Sequence, residues 1–387
     1  MKKILLVIFC ILLLTAPKVE AARAIYAPSI FADNYLESQI RTIVENLLFI
    51  KVSNDIIENR EDNQIIIDHL QKKQDYSQEL LNKKYQKLYL YYHSSESNEE
   101  EIKRIWEGKR KEHGFNNEFR LFNYLINQLE SEVEKLNLDF KMLELDKQES
   151  NYKFYLSLAS ELSRLIEIFP TYPNQIQALN DSEFLGFSLN ERELVLTFDD
   201  GPTDVTSKLL DILAEQEIKA SFFLLGMRFI DDDFKINKES KETLMRMKDL
   251  EMDIGLHSFT HDNLVELNQA KDFEYQLEKP KKLLESELGI ETKLFRTPYG
   301  SRNKEVLTEI NKYYDYHILW NIDSQDWNQD FDAKVIKERI IRLAHFYNGG
   351  IVLAHDTNYK LAEILEELII RLEMNSFSFY SLKEVIE

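Results

Sequence analysis

The chain has 387 residues, 44% of them hydrophobic, which is more than one ordinary core requires and points to two domains. Its formal charge of −20 makes it a poor partner for nucleic acid and favours solubility, without indicating which neutral polymer it meets. The single cysteine, Cys10, falls in the leader described next, so the folded body has neither disulfides nor thiolate metal ligands to draw on.

Lys2 and Lys3 precede an unbroken apolar run from Ile4 to Leu14, followed by Pro17 and the small-residue site Ala21-Ala22. This is the three-part layout of a secretory signal peptide over residues 1–22, and it predicts export to the periplasm, cell wall or medium. An uncleaved anchor is the alternative, although the run is short of the ~20 residues of a spanning helix. After cleavage no stable membrane span is expected.

Residues 23–173 read as an all-α domain. From Asp33 to Phe169 there is no proline, and Glu, Lys, Asn and Gln dominate. Phe122, Leu125, Leu129, Val133, Leu136, Phe140 and Leu143 step by threes and fours, as do Tyr155, Leu158, Leu162, Leu165 and Phe169. Such stripes suit a helical hairpin or small bundle with coiled-coil character. Self-association or docking of a partner is the functional reading; plain core packing is the blander one.

Pro170 and Pro173 end the last helix, and 174–192 reads as a linker. From Glu193 the pattern becomes short apolar runs alternating with amphipathic segments. Helices are expected around Ser207 to Gln216, Lys241 to Leu250, Tyr275 to Leu288, Asn303 to Lys312, Ala333 to Phe346 and Leu361 to Met374. Further strands are expected at Lys219 to Leu225 and near Ser376 to Tyr380. Repeated β–α alternation implies an α/β fold with a parallel sheet, most simply a barrel, over 193–387.

Five apolar runs in this half end in chemically loaded residues. They close on Asp199-Asp200-Gly201-Pro202, on His257-Ser258-Phe259-Thr260-His261, on Arg296-Thr297-Pro298-Tyr299-Gly300, on Asp323-Ser324-Gln325-Asp326-Trp327 and on Leu353-Ala354-His355-Asp356. Adjacent carboxylates at the mouth of a buried strand are costly without a task. Parallel βα units place reacting groups at the C-terminal ends of strands, and each loaded segment follows its run rather than preceding it. His257 and His261, four apart, can meet at one point. Arg296 cannot lose its charge, so beside carboxylates it suits a fixed ion pair, and His355 titrates near neutrality and suits a general acid. Trp327 reads as a wall of a pocket and Leu353 as its apolar floor, though each serves equally well as core. His69, His93, His113, His317 and His345 read as surface or packing residues.

These five ordered segments resemble the polysaccharide deacetylases, the NodB homology domain or carbohydrate esterase family 4, over roughly the C-terminal half of the chain. The resemblance implies a distorted (β/α) barrel rather than a closed eight-fold one. It implies Asp199 as general base, Asp200, His257 and His261 as ligands of one divalent metal, and Arg296 orienting Asp199 with Asp326 in the same supporting shell. It also implies the backbone N–H of Tyr299 as oxyanion donor. Nitrogen and oxygen ligands without thiolate suit zinc. The expected reaction is removal of N-acetyl groups from a glycan, with peptidoglycan N-acetylglucosamine first. Chitooligosaccharide, poly-N-acetylglucosamine or acetylated xylan are the alternatives, and a non-catalytic glycan-binding envelope protein is the alternative of another class.

Overall fold

In a computed structural model of the chain, the described residues are Thr42, Glu45, Asn46, Phe49, Phe154, 180–267 and 270–386. By its contacts the chain divides into Met1–Ile168 and Phe169–Glu387, and the architecture below belongs to the second unit. The expected leader, 1–22, and nearly all of the helical stripes lie outside the described residues. Among the described residues no helix is long and apolar enough to cross a membrane.

The unit alternates strand and helix. It begins with β1 (Glu183–Phe184), β2 (Glu193–Asp199), α1 (Asp204–Glu215), β3 (Ser221–Leu224), α2 (Lys238–Asp249) and β4 (Asp253–Leu256). It continues with α3 (Lys279–Leu288), β5 (Leu294–Phe295), α4 (Lys304–Ile310), β6 (Tyr316–Ile318) and β7 (Ile322–Asp323). It ends with α5 (Ala333–Tyr347), β8 (Gly350–His355), α6 (Tyr359–Met374), β9 (Ser378–Tyr380) and α7 (Leu382–Ile386). Local chemistry sets several boundaries. Thr203 and Thr206 form a capping box at the start of α1. Asn237, Asp332 and Asn358 cap α2, α5 and α6 with their side chains. Gly289, at φ 58°, ends α3 in the left-handed conformation that glycine adopts without strain.

The strands run in the order β1-β6-β5-β4-β3-β2-β8-β7, with β9 added beside β2. Every pairing is parallel. The path does not close, since β1 and β7 are its edges, and the result is a parallel half-barrel with helices around it. Because both faces of a parallel sheet are covered, β2 is buried from Leu194 to Asp199 and reads as a continuous apolar run up to its loaded end. Val195, Phe223, Leu319, Trp320, Ile351 and Leu353 pack together in the core.

The sequence differs from the structure at one boundary. Residues 174–192 read as linker, yet Glu183–Phe184 form an edge strand paired with His317–Ile318, and Leu185 is buried in the core. Two residues are too few to show a strand period, and the charge of Glu183 concealed its burial.

Candidate active site

β2 and β8 bring two of the loaded ends side by side. In their parallel register Asp199 is paired with His355, and one layer below Thr197 is paired with Leu353. Side chains two apart on a strand share a face, so Leu353 lies beneath His355 at the base of the site and is 5% exposed.

Asp199 is buried, and its Oδ1 accepts a hydrogen bond from Arg296 Nη1 at 2.8 Å. Arg296 is itself fully buried; its Nε donates to the Ile318 carbonyl at 3.1 Å and its Nη1 also donates to Thr197 Oγ1 at 2.7 Å. The guanidinium lies 4.2 Å from the Phe223 ring centroid, a stacked arrangement lysine does not reproduce. Burial raises the Asp199 pKa, with Arg296 and His355 pulling it back. A carboxylate above its ordinary range is the stronger base once ionised. With Oδ1 engaged by Arg296, Oδ2 faces His257 Nε2 at 3.7 Å.

Asp200, His257 and His261 converge, with one candidate ligand atom from each lying within 4.8 Å of the others. Asp200 Oδ1 is 3.7 Å from His257 Nε2 and 3.5 Å from His261 Nε2. His257 Nδ1 lies 2.8 Å from the Arg296 carbonyl. A carbonyl only accepts, so Nδ1 carries the proton and Nε2 keeps its lone pair for the cluster. Burial, foremost, holds the His257 pKa down to about 3, which keeps that imidazole neutral as a ligand requires. Asp200 Oδ1 is buried without a hydrogen-bond partner among the described residues. An orphaned carboxylate oxygen facing two imidazole nitrogens fits a divalent cation, and these three residues would hold it.

The backbone here departs from ordinary conformations. Asp200 (φ 76°), Ser258 (φ 75°), His261 (φ 65°) and Tyr299 (φ 62°) all occupy the left-handed region without being glycine. Each such residue costs on the order of 1–3 kcal/mol and persists only where its surroundings hold it. For the histidine loop the holding groups are visible. Ser258 Oγ accepts from the His261 N–H at 3.0 Å. Gln276 Oε1 accepts from the N–H groups of Phe259 at 2.9 Å and Thr260 at 3.1 Å.

His355 stands beside Asp199, at the end of the neighbouring strand β8. Its Nδ1 lies 2.7 Å from Asp326 Oδ1, and its backbone N–H donates to Asp326 Oδ2 at 2.9 Å. Burial alone would lower the His355 pKa, but the hydrogen bond and charge of Asp326, joined by Asp199 and Asp200, raise it to about 10. The imidazolium therefore keeps its proton at neutral pH, with Nε2 left to present it. Here the resemblance needs correcting: it implies that Asp326 shares with Arg296 the support of Asp199, whereas Asp326 grips His355. The two supporting residues serve different strand ends because β7 ends beside β8, on the far side of β8 from β2.

Trp327 is 48% exposed and Tyr299 59% exposed, both uncovered. The Tyr299 ring meets His261 edge-on at 4.6 Å, a contact that gives its side chain a part in placing a candidate ligand. The Tyr299 N–H has no hydrogen-bond acceptor among the described residues. His345 is buried; His317 is buried too, but it is more than packing, since its Nε2 accepts from the Thr297 N–H at 3.2 Å in the loop that carries Arg296 and Tyr299.

Sequence reasoning missed Gln276 and read Asp356 only as a residue that positions its own segment, outside the catalytic set. Gln276 sits in a π-helical turn, Glu274–Glu278, whose extra residue leaves no mark on the apolar period. Asp356 is buried; its Oδ2 accepts from Thr206 Oγ1 at 2.5 Å, its carbonyl accepts from Thr203 Oγ1, and its N–H donates to the Asp199 carbonyl at 3.2 Å. It ties the end of β8 to the turn carrying Asp200. Burial, above all, pushes its pKa up to about 7. Its place beside His355 was the available signal.

Residues 188–318 match the family model described as polysaccharide deacetylase, which takes in Asp199, Asp200, His257, His261, Arg296 and Tyr299. A bifunctional xylanase/deacetylase of Pseudobutyrivibrio xylanivorans is 27% identical over 200 residues, 51% of this chain and 31% of that protein. A peptidoglycan-N-acetylglucosamine deacetylase of Listeria monocytogenes is 30% identical over 195 residues, 50% of this chain and 39% of that protein. A chitooligosaccharide deacetylase of Azorhizobium caulinodans is 32% identical over 172 residues, 43% of this chain and 75% of that protein. The shared stretch thus spans 31% and 39% of the first two relatives' own length.

Proposed function

The chain belongs to the polysaccharide deacetylase family, and on that footing we propose that it is an exported, metal-dependent hydrolase that removes N-acetyl groups from a glycan containing N-acetylglucosamine. Peptidoglycan is the first substrate, with chitooligosaccharides next. The leader-like residues 1–22 motivate export, and a relative acting on peptidoglycan motivates the polymer.

A divalent metal at Asp200, His257 and His261, zinc by its donor set, would stabilise negative charge on the substrate oxygen and lower the pKa of water. Asp199 takes the proton of the attacking water at Oδ2, since Arg296 engages Oδ1. The Tyr299 N–H donates to the oxygen that becomes negative as the carbonyl carbon turns tetrahedral. His355 gives its proton from Nε2 to the departing nitrogen while Asp326 steadies Nδ1. The C–N bond breaks, leaving acetate and a free amine on the sugar. Trp327 offers an exposed aromatic face to the sugar, and Leu353 lies beneath.

The observation that carries this reading is the pairing of Asp199 with His355 across β2 and β8, a base and an acid side by side next to the Asp-His-His cluster. Acetate release from peptidoglycan, chitooligosaccharides and acetylated xylan, with metal-loaded protein, tests it. Release from the N-acetylated polymers and not from xylan is expected. No release from any of the three would favour a glycan-binding protein instead.

A further inference from the structure

The loop Arg296–Gly300 serves the site three times. Its first side chain holds Asp199, the Arg296 carbonyl holds His257 Nδ1, and the Tyr299 N–H has no acceptor among the described residues. The loop is also held away from its preferred shape at Tyr299, which is left-handed at φ 62° without being glycine. Something outside it must maintain that shape.

Behind the loop lies a buried cluster that the mechanism does not use. Glu183, Arg302 and His317 have side chains 0%, 2% and 0% exposed. Glu183 Oε1 accepts from Arg302 Nε and sits 3.1 Å from His317 Nδ1. At the other edge of the imidazole, Nε2 accepts from the Thr297 N–H at 3.2 Å. That bond settles the tautomer: Nε2 carries no proton, so Nδ1–H donates to Glu183. Arg302 Nη1 in turn donates to the Gly300 carbonyl at 3.4 Å. One carboxylate therefore reaches both flanks of the loop, Thr297 through His317 and Gly300 through Arg302. It does so from β1, five residues ahead of the stretch that matches the family.

We propose that Glu183 is a positioning residue for the deacetylation, holding the Arg296–Gly300 loop through His317 and Arg302 so that base, metal ligand and oxyanion donor stay aligned. A buried ionic cluster stabilises a fold no better than well-packed apolar residues would, so its value here is geometric. This rests on the deacetylase reading. Burial alone would raise the Glu183 pKa, yet its bonds to His317 and Arg302 bring it down to about 2, so the anchor is charged wherever the protein works.

The test uses the full chain with Glu183→Ala, Glu183→Gln and His317→Leu. The alanine variant should lose roughly tenfold to a hundredfold in kcat with KM little changed, measured well below its melting temperature. Glutamine, whose carbonyl can accept the same two hydrogen bonds, should recover most of that loss. Amide hydrogen exchange supplies a readout independent of turnover. The Gly300 and Ser301 amides, bonded to the Thr297 and Pro298 carbonyls, should exchange faster in the alanine variant while those of β2 and β8 do not. If Glu183→Ala fails to fold, His317→Leu cuts the link to Thr297 and keeps the Glu183–Arg302 pair, and the same kcat loss is expected. Unchanged kcat in a folded variant, or exchange that quickens everywhere alike, overturns the proposal. Should the wild type release no acetate, the deacetylase reading is what fails, and the exchange measurements still decide whether Glu183 holds the loop.

Discussion

His355 and Asp326 show how one contact sets the working range of a residue. The imidazole would titrate below its ordinary value from burial; the carboxylate at 2.7 Å reverses this and carries it to about 10. A group with a raised pKa stays protonated until the pH climbs through that value, so activity that needs the acid form is lost on the alkaline side. Asp326→Asn removes the largest raising influence. Its pH–rate profile should show the alkaline limb moved to lower pH and kcat down on the order of tenfold or more; a limb that stays in place would contradict the assignment. The chemistry of single residues was largely legible in the sequence. Asp199, Asp200, His257, His261, Arg296 and His355 each stand where an apolar run stops, and runs that stop at one end of parallel strands bring their last residues together. Partnership was not legible. Nothing along the chain tells that Asp326 meets His355 rather than Asp199, because that follows from which strands are neighbours.

Among elements, the strands and long helices fall close to their expected places because caps and periodicity announce them. The exceptions are instructive. β1 has two residues, and its charged member lies in a run of polar character, so it passed for linker. The π-helical pitch of the turn before α3, within the helix expected from Tyr275, gave no signal either, yet it aims Gln276 at the histidine loop. Gln276→Leu would leave the Phe259 and Thr260 N–H groups without their acceptor next to two left-handed residues. Zinc affinity, followed by competition with a chromogenic chelator, should fall roughly 10–100-fold, as for other residues that support a ligand from behind. An affinity within about twofold of the wild type would remove Gln276 from that role.

For the molecule as a whole, the buried Glu183 cluster links the site to acid stability. The Glu183 pKa falls from 4.5 to about 2 on folding, so the unfolded chain binds the proton first as pH drops. The stabilisation is complete above the unfolded value and is lost as pH falls between about 4.5 and 2. Denaturant unfolding of Glu183→Gln should show a flatter stability profile than the wild type across that window. Parallel profiles would mean that the carboxylate is not charged in the fold. The helical half expected at 23–173 and the leader expected at 1–22 lie almost wholly outside the described residues.

The most direct measurement is acetate release from N-acetylated peptidoglycan by the zinc-loaded chain, compared with Asp199→Asn and with chelated protein. The account predicts release by the wild type, a loss of roughly a hundredfold or more in Asp199→Asn, and abolition on chelation with recovery when zinc returns. Acetate release that survives either Asp199→Asn or removal of the metal would contradict it.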